Sequence, residues 1–229
     1  MENTNKWIHS ECWVACFDIL GFKEIGSFEN SDSYQVLNVI NDYEETLEHL
    51  RKSCNWYSDG CVNYCWLSDT FVMFTSDDSA LGYTIIEVAA KYFIGKCLYS
   101  RIPLRGAISV GSFTRSYDDR AFMGRAIIEA FKYAEDQDWI GLILTPTAIK
   151  KIESYGLNLI YDFISSDEIP MRKYKDERIY AYRFQNGASN MLSPLIPVLC
   201  EMKSQAGQEH KSKYEKTEKF IQKYYQRIV

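Results

Sequence analysis

A short run of apolar residues that stops abruptly at an aspartate constrains the fold of this chain more than any other feature. Residues 13–17 read WVACF, the next residue is Asp18, and the segment ILGF follows. A strand with large apolar side chains on both faces is buried on both faces, so the run predicts a strand in the centre of a sheet. We therefore expect a carboxylate at the end of a central strand.

The remaining patterns predict an alternation of strands and helices. Apolar residues at helical spacing predict a first helix over 31–52 and a second over 76–99. A hairpin is expected at residues 62–74, with Ser68 and Asp69 at its turn. The other expected strands are 104–110, 140–144, 157–163 and 178–184, and the other expected helices are 124–135 and 146–155. The first six elements match the split βαββαβ unit, so the predicted fold class is an α+β, ferredoxin-like sandwich.

The character of the chain changes after residue 186. Residues 208–228 are rich in Lys and Glu and carry a few large apolar residues, which predicts a C-terminal helical appendage. We therefore expect one main domain over 10–186 and a helical extension over 187–229. Two interpretations of the extension stay open: a helix that lies on the domain, or a contact with a second subunit or another partner.

Composition and charge exclude several classes of protein. The chain has 229 residues, of which 46% are hydrophobic and 25% charged, so it is globular rather than disordered. A net charge of −5 argues against a protein that coats nucleic acid. Neither a membrane-spanning apolar run nor a signal-peptide pattern is visible, so we expect no membrane partner and a cytoplasmic location.

The cysteines suggest buried thiols rather than a metal centre. There are 7, and an odd number in a chain expected in the cytoplasm argues against a disulfide framework. Two pairs, Cys12 with Cys16 and Cys61 with Cys65, are spaced so that a zinc site is conceivable. However, there is no C-x-x-C motif and the 3 histidines are scattered, so we favour strand cysteines packed in the core.

Two aspartates are candidates for a metal site. Asp18 follows the central strand, and Asp69 lies in the hairpin that neighbours this strand in a split βαββαβ sheet. Two adjacent carboxylates repel each other unless a proton or a cation lies between them. Their oxygens suit Mg²⁺ or Mn²⁺, which commonly accompany phosphates. The alternative is that Asp18 caps a helix and Asp69 makes a turn, but the pair together favours metal binding.

Four segments resemble a known family. The segment FDILGF at residues 17–22 resembles the aspartate-containing signature of class III nucleotidyl cyclases, and SDTF at 68–71 resembles the hairpin with their second metal aspartate. The segment LRGAISVG at 104–111 is similar to the family's arginine-bearing strand. Gly124 matches the glycine that opens a helix on the dimerisation side, and the resemblance spans residues 13–185.

The resemblance implies roles for individual residues. Asp18 and Asp69 would ligate two divalent ions, Mn²⁺ or Mg²⁺, with the carbonyl of Ile19 as a further ligand. Arg105 would contact the triphosphate of a nucleotide substrate. In the family two catalytic domains pack head to tail and share each active site, so a homodimer is implied. Backbone N–H groups would bind phosphate oxygens at residues 17–22, including those of Phe17, Gly21 and Phe22.

Four positions depart from the purine-selective members of the family. Cys65 and Ala121 stand at the two base-reading positions and cannot hydrogen-bond a purine edge in the usual way. Ile128 stands where a transition-state Asn is usual, and Lys132 where an Arg is usual, so Lys132 is the candidate catalytic cation. The segment 124–135 is similar to the bacterial pyrimidine cyclases of anti-phage signalling. That branch implies an enzyme that converts UTP, or CTP, to the 3′,5′-cyclic monophosphate and pyrophosphate.

Two other functions stay open. A purine cyclase with a rewired base pocket would use the same metal chemistry. A catalytically inactive cyclase-like module would sense a nucleotide or only dimerise; the intact Asp18 and Asp69 argue against it, and Ile128 argues for it. The cations within residues 172–175 either reach the distal phosphates or form an exposed loop.

Overall fold

A computed structural model describes residues 7–21, 41, 45, 62–67, 69–116, 121–158, 162–165, 167–184 and 195–224. These residues form one eight-stranded sheet and five helices, which confirms the predicted α+β class. The strands are β1 (Trp7–Ile19), β2 (Val62–Leu67), β3 (Thr70–Thr75), β4 (Leu104–Ser116), β5 (Phe122–Met123), β6 (Gly141–Leu144), β7 (Phe163–Ser165) and β8 (Tyr180–Tyr182). The helices are α1 (Ala80–Tyr99), α2 (Arg125–Asp136), α3 (Pro146–Ser154), α4 (Leu195–Gln205) and α5 (Gln208–Tyr224).

The sheet has the strand order of a split βαββαβ sandwich. Its order is β2-β3-β1-β4-β6-β8-β7, with β5 paired to β4, and β1 is antiparallel to both of its neighbours. Strand β1 is therefore central, as the apolar run predicts, and the hairpin lies beside it. Of the helix expected over 31–52, the structure describes Asn41 and Glu45, which are both helical; the rest lies outside the described residues.

Strand β1 packs against a different layer on each face. On one face Trp13 and Phe17 belong to the large core that also holds α1. On the other face Cys12 and Cys16 belong to a smaller cluster with α2. Both cysteines are free, buried thiols, and burial raises the pKa of Cys12 to about 12. The expectation of buried strand cysteines is confirmed for this pair, whereas Cys61 lies outside the described residues.

Helix α2 begins where the sequence predicts, at Gly124. This glycine has φ +146°, and a Cβ built on it would collide with the carbonyl oxygen of Ser112 and lie 2.8 Å from Cα of Phe113. The helix then packs the small, buried side chains of Ala126 and Ala130 against the sheet. Glycine and alanine therefore let α2 lie close to β1 and β4.

The C-terminal helices lie on the domain and help to fill its core. Leu199 of α4 and Phe220 of α5 are buried in the same cluster as Trp13 and Phe17. The expected C-terminal helices are present and lie on the domain, as in the first interpretation; their contact with a second subunit or another partner stays a prediction. The boundary at 186/187 stays a prediction, because residues 185–194 lie outside the described residues.

Some bounds differ from the sequence prediction. Strands β1 and β4 are each 13 residues long, because they continue as a pair beyond the apolar segments. Of the strand expected over 157–163, residues 157 and 158 are not in a strand, residues 159–161 lie outside the described residues, and Phe163 begins β7. No helix among the described residues is long and apolar enough to cross a membrane.

Candidate active site

An open cleft of about 310 Å³ lies where β1 ends. Asp18 and Asp69 both line it, as expected from their positions on neighbouring strands. The cleft thus lies where five parts of the fold meet: the end of β1, the hairpin turn, β4, the last turns of α2 and the first turns of α5. Its lining residues are Asp18, Ile19, Leu20, Gly21, Asp69, Thr70, Arg105, Phe131, Glu135, His210 and Lys213.

Arg105 lies directly opposite Asp18 in the β1–β4 ladder and binds it. Its Nε donates to Asp18 Oδ2 over 2.6 Å, and the two side chains are only 11% and 15% exposed. Its Nη1 donates to the carbonyls of Glu135 (2.5 Å) and Gln137 (3.0 Å), at the end of α2 where carbonyls lack helical partners. The guanidinium therefore ties β1 to α2. Its expected contact with a triphosphate stays a prediction.

Burial and neighbouring charges set the ionisation of Asp18. Burial raises the pKa of its carboxyl above the usual value, and the charge and hydrogen bond of Arg105 oppose that rise. The nearby carboxylates of Asp69 and Glu135 raise the pKa further. Because three acids surround a single arginine, a bound cation would relieve the repulsion between them.

Two backbone N–H groups at the end of β1 form hydrogen bonds within the fold. The N–H of Ile19 donates to the Asp69 carbonyl (3.1 Å), and that of Leu20 donates to the Pro103 carbonyl (2.9 Å). The side chain of Phe17 is fully buried, with its ring centroid 4.8 Å from that of Phe93. The expected binding of phosphate oxygens by N–H groups of residues 17–22 stays a prediction.

Gly21 is the expected phosphate-binding residue that the structure places at the cleft. It lines the cleft with φ +76°, a left-handed conformation that lets the chain turn sharply after β1. Phe22 lies outside the described residues.

The oxygens at the cleft fit Mg²⁺ or Mn²⁺. The carboxylates of Asp18 and Asp69 are hard donors, and Ile19, whose carbonyl is the third expected ligand, also lines the cleft. Within the described ranges no group of three or more His, Cys, Asp or Glu could hold a metal by itself. Magnesium typically takes one or two carboxylates and completes its shell with water and phosphate. The donors therefore suit an ion that is bound together with a phosphate-bearing ligand.

A second cavity of about 630 Å³, which we call the apolar groove, adjoins the cleft along α2. Large apolar side chains stand exposed beside it: Met123 (54%), Ile128 (53%) and Phe131 (42%). Such a group of exposed apolar side chains marks an interaction surface. The groove is lined by Cys16, Thr70, Val72, Phe122, Met123, Ile127, Ile128, Phe131, Lys132 and Glu135.

The expected catalytic positions on α2 line this groove, whereas the two expected base-reading positions, Cys65 and Ala121, do not. Ile128 and Lys132 line it one helical turn apart, and Lys132 is exposed. Cys65 lies opposite Val72 in the hairpin and packs against the α2-side cluster. Ala121 is half-buried, and its N–H donates to Ser116 Oγ over 3.0 Å. Neither Cys65 nor Ala121 brings an amide or a carboxylate to the groove.

The loop at 171–174 wraps around the carboxylate of Asp136 at the end of α2. The backbone N–H groups of Arg172, Lys173 and Tyr174 donate to Asp136 Oδ2 over 3.1, 2.8 and 3.1 Å. The guanidinium of Arg172 binds the carbonyl of Glu135. Neither Arg172, Lys173 nor Lys175 lines the cleft, so the structure favours the interpretation of this loop as exposed cations.

Sequence reasoning missed Glu135, His210 and Lys213 as cleft residues. The few large apolar residues noted in segment 208–228 include Tyr214 and Phe220, which are buried in α5. The helix carries lysines at 211, 213, 216, 219 and 223, however, and nothing in the sequence distinguishes the one at the cleft.

Comparison with known proteins identifies the fold. No family model matches the chain, and no curated protein matches it. The monomeric guanylyl cyclase domain of the RhoGC fusion protein from the aquatic fungus Blastocladiella emersonii is similar in structure, with a TM-score of 0.56 at 14% identity over 78% of this chain and 98% of that one.

Two further solved structures agree with it. A dimeric form of the RhoGC cyclase domain gives a TM-score of 0.54 at 15% identity, over 77% of this chain and 97% of that one. The catalytic core of a rhodopsin-guanylyl cyclase with converted specificity, in complex with ATPαS, gives 0.55 at 12% identity, over 78% and 97%. The chain therefore has the fold of the class III nucleotide cyclase catalytic domains.

Proposed function

We propose that this chain is a nucleotidyl cyclase that converts a pyrimidine nucleoside triphosphate to its 3′,5′-cyclic monophosphate and pyrophosphate. The observation that carries the proposal is that Asp18 and Asp69 line a single cleft in a domain with the cyclase fold. The preference for UTP over CTP rests on the resemblance alone, as does a role as a second-messenger synthase in bacterial anti-phage defence.

The proposed reaction exchanges one phosphorus–oxygen bond for another. The ribose 3′-oxygen attacks the α-phosphorus and loses its proton, and the bond from the α-phosphorus to the pyrophosphate oxygen breaks. Divalent ions held by Asp18, Asp69 and the Ile19 carbonyl would lower the pKa of the 3′-hydroxyl and offset the phosphate charge. Arg105 holds the Asp18 carboxylate in place, as its contacts to two α2 carbonyls support.

The apolar groove supports a pyrimidine preference. A site that reads a purine must pair buried donors and acceptors with the purine edge. Cys65 and Ala121 offer neither an amide nor a carboxylate, and Ile128 presents an apolar side chain to the groove. Without a purine-reading group at these positions, the smaller ring is the better-fitting base.

The same groove supports a homodimer with shared active sites. Exposed Met123, Ile128 and Phe131 would be covered by a second copy of the chain, which would remove apolar surface from water. In that arrangement Lys132 of one subunit would face the metal aspartates of the other. One of the similar cyclase domains is dimeric and another monomeric, so the assembly of this chain needs its own measurement.

A nucleotide panel tests the proposal. Purified protein with Mn²⁺ is given UTP, CTP, ATP and GTP separately at equal, sub-saturating concentration, and cyclic products are quantified by mass spectrometry, with Asp69→Ala as the matched inactive control. We expect a cyclic pyrimidine nucleotide as the main product. Faster turnover of ATP or GTP than of both pyrimidines would replace this proposal with the rewired purine cyclase. Nucleotide binding without any cyclic product would favour the inactive module.

A further inference from the structure

Helix α5 brings a lysine to the candidate active site from the far end of the chain. Lys213 lines the cleft together with Asp18, Asp69 and Arg105. It is half-buried, whereas Lys219 on the same helix is exposed. The cleft therefore has a cation that belongs neither to the sheet nor to α2.

Contacts just beyond Lys213 fix its position. Thr217 Oγ1, four residues later, accepts from the N–H of Ile140 over 2.8 Å. Lys216 forms an ion pair with Asp138, and the ring of Phe220 lies 4.5 Å from that of Trp139. Because Lys213 and Thr217 are one helical turn apart, the docking that buries Thr217 also directs Lys213 to the cleft.

Among the described residues, Lys213 shares the cleft with acidic side chains but forms no direct ion pair with any of them. Lys216 pairs with Asp138 and Lys223 with Glu168, but Lys213 Nζ forms no hydrogen bond or ion pair with the rest of the described chain. Burial and then the charge of Arg105 lower the pKa of Lys213, and Asp138 opposes this. A half-buried ammonium without a partner is stabilised by any anion that enters the cleft.

We propose that Lys213 binds the phosphate chain of the substrate, so that α5 supplies a phosphate-binding residue to the active site. The proposal rests on the proposed function for the identity of that substrate. The chemistry that Lys213 recognises is a polyphosphate anion, since a lysine offers a point charge and three donors but no means of reading a base.

Calorimetric titration with inorganic tripolyphosphate in the presence of Mg²⁺ tests this contact in the full-length protein. Lys213→Met keeps the aliphatic stem and removes the charge, Lys213→Arg keeps the charge, and Lys219→Met is the matched control on the exposed face of α5. We expect Lys213→Met to weaken binding by about tenfold or more, with Lys213→Arg and Lys219→Met near the wild type. Thermal unfolding of all three variants checks that α5 stays docked.

Three results would overturn the proposal: no binding of tripolyphosphate by the wild type, wild-type affinity in Lys213→Met, or an equal loss in Lys219→Met. Tripolyphosphate has no ribose and no base, so this outcome is separate from the nucleotide panel. If no nucleotide is cyclised but Lys213→Met still loses tripolyphosphate, the phosphate contact stands and the cyclase proposal fails. If nucleotides are cyclised and Lys213→Met binds tripolyphosphate normally, only the role of Lys213 is wrong.

Discussion

Arg105 Nε lies 2.6 Å from Asp18 Oδ2, and the two residues face each other across strands β1 and β4. One candidate metal ligand is therefore held by a buried ion pair, whereas Asp69 lies in the hairpin turn. The resemblance treats the two aspartates alike, as ligands of the metal ions. Because of this ion pair, we expect the loss of Asp18 to lower the free energy of unfolding more than the loss of Asp69.

Replacing either aspartate with alanine should abolish cyclisation, by at least about 100-fold, because each removes a metal ligand. Only Asp18→Ala should also lower the free energy of unfolding, by about 2 kcal/mol, because it leaves the Arg105 guanidinium without its carboxylate. Urea unfolding followed by circular dichroism measures the difference. Near wild-type turnover in either variant would end the two-metal account, and equal stabilities would show that the ion pair contributes nothing.

Arg105→Met should lower the free energy of unfolding by about 3 kcal/mol, because it strands a buried carboxylate and two carbonyls at the end of α2. Arg105→Lys should cost less, since it keeps the charge but not the fork that reaches all three acceptors. Arg125→Met, on the exposed face of α2, is the control and should change stability by less than about 0.5 kcal/mol. In a double-mutant cycle, Asp18→Ala with Arg105→Met should cost less than the sum of the two single changes.

Mixing two inactive variants tests the shared active site. If Asp69 acts from one subunit and Lys132 from the other, subunit exchange between Asp69→Ala and Lys132→Ala should restore about a quarter of wild-type activity, since half of the dimers would carry one intact site. Native mass spectrometry shows whether the subunits exchange. A mixture that exchanges and stays inactive would rule out composite sites.

Gly124→Ala should destabilise the fold by about 3 kcal/mol, because the new Cβ meets the backbone of Ser112 and the residue must hold φ +146°. Gly156→Ala is the matched control. It also has a positive φ, +69°, but nothing lies within 4 Å of its Cβ, so we expect a loss of about 1 kcal/mol. Thermal melts of the two variants compare the clash with the conformational strain alone. Equal losses would mean that α2 can shift away from β4.

Cys12 and Cys16 should resist alkylation in the native protein. Burial raises the pKa of Cys12 to about 12, so almost no reactive thiolate exists at pH 8. Peptide mass spectrometry after iodoacetamide treatment should find Cys12 and Cys16 modified only in denaturant, and the exposed Cys200 modified faster than either. Equal labelling of Cys12 and Cys200 in the native state would show that β1 opens readily.

The sequence predicts those parts of the fold that local patterns encode. The run at 13–17 is apolar on both faces, which requires a central strand, and the hairpin at 62–74 follows from two strand-like halves around a turn. The meeting of Asp18 and Asp69 follows from the strand order that these elements imply. The opening of α2 at Gly124 was likewise predictable, and its physical cause is the close approach of the Ser112 backbone.

The pairing of strands and the docking of helices determine the features of the site that the sequence could not predict. An arginine at the start of β4 can pair with any acid that the ladder places opposite it, and only the β1–β4 register makes that acid Asp18. Likewise, the five lysines of α5 are equivalent in sequence. The hydrogen bond between Thr217 and Ile140 and the packing of Phe220 against Trp139 orient α5 so that Lys213 lies at the cleft.

The charged residues of the cleft are synthesised at different times. Arg105, which pairs with Asp18, lies 87 positions later in the chain. On the ribosome both aspartates are made before Arg105, and Lys213 comes last. At roughly 5–20 residues per second, about 10–40 s separate Asp18 from Lys213 during translation. A nascent chain that brings β1 and β3 together early therefore places the two acids in the cleft before Arg105 has been made. Arg105 can pair with Asp18 once β4 is complete, well before Lys213 reaches the cleft.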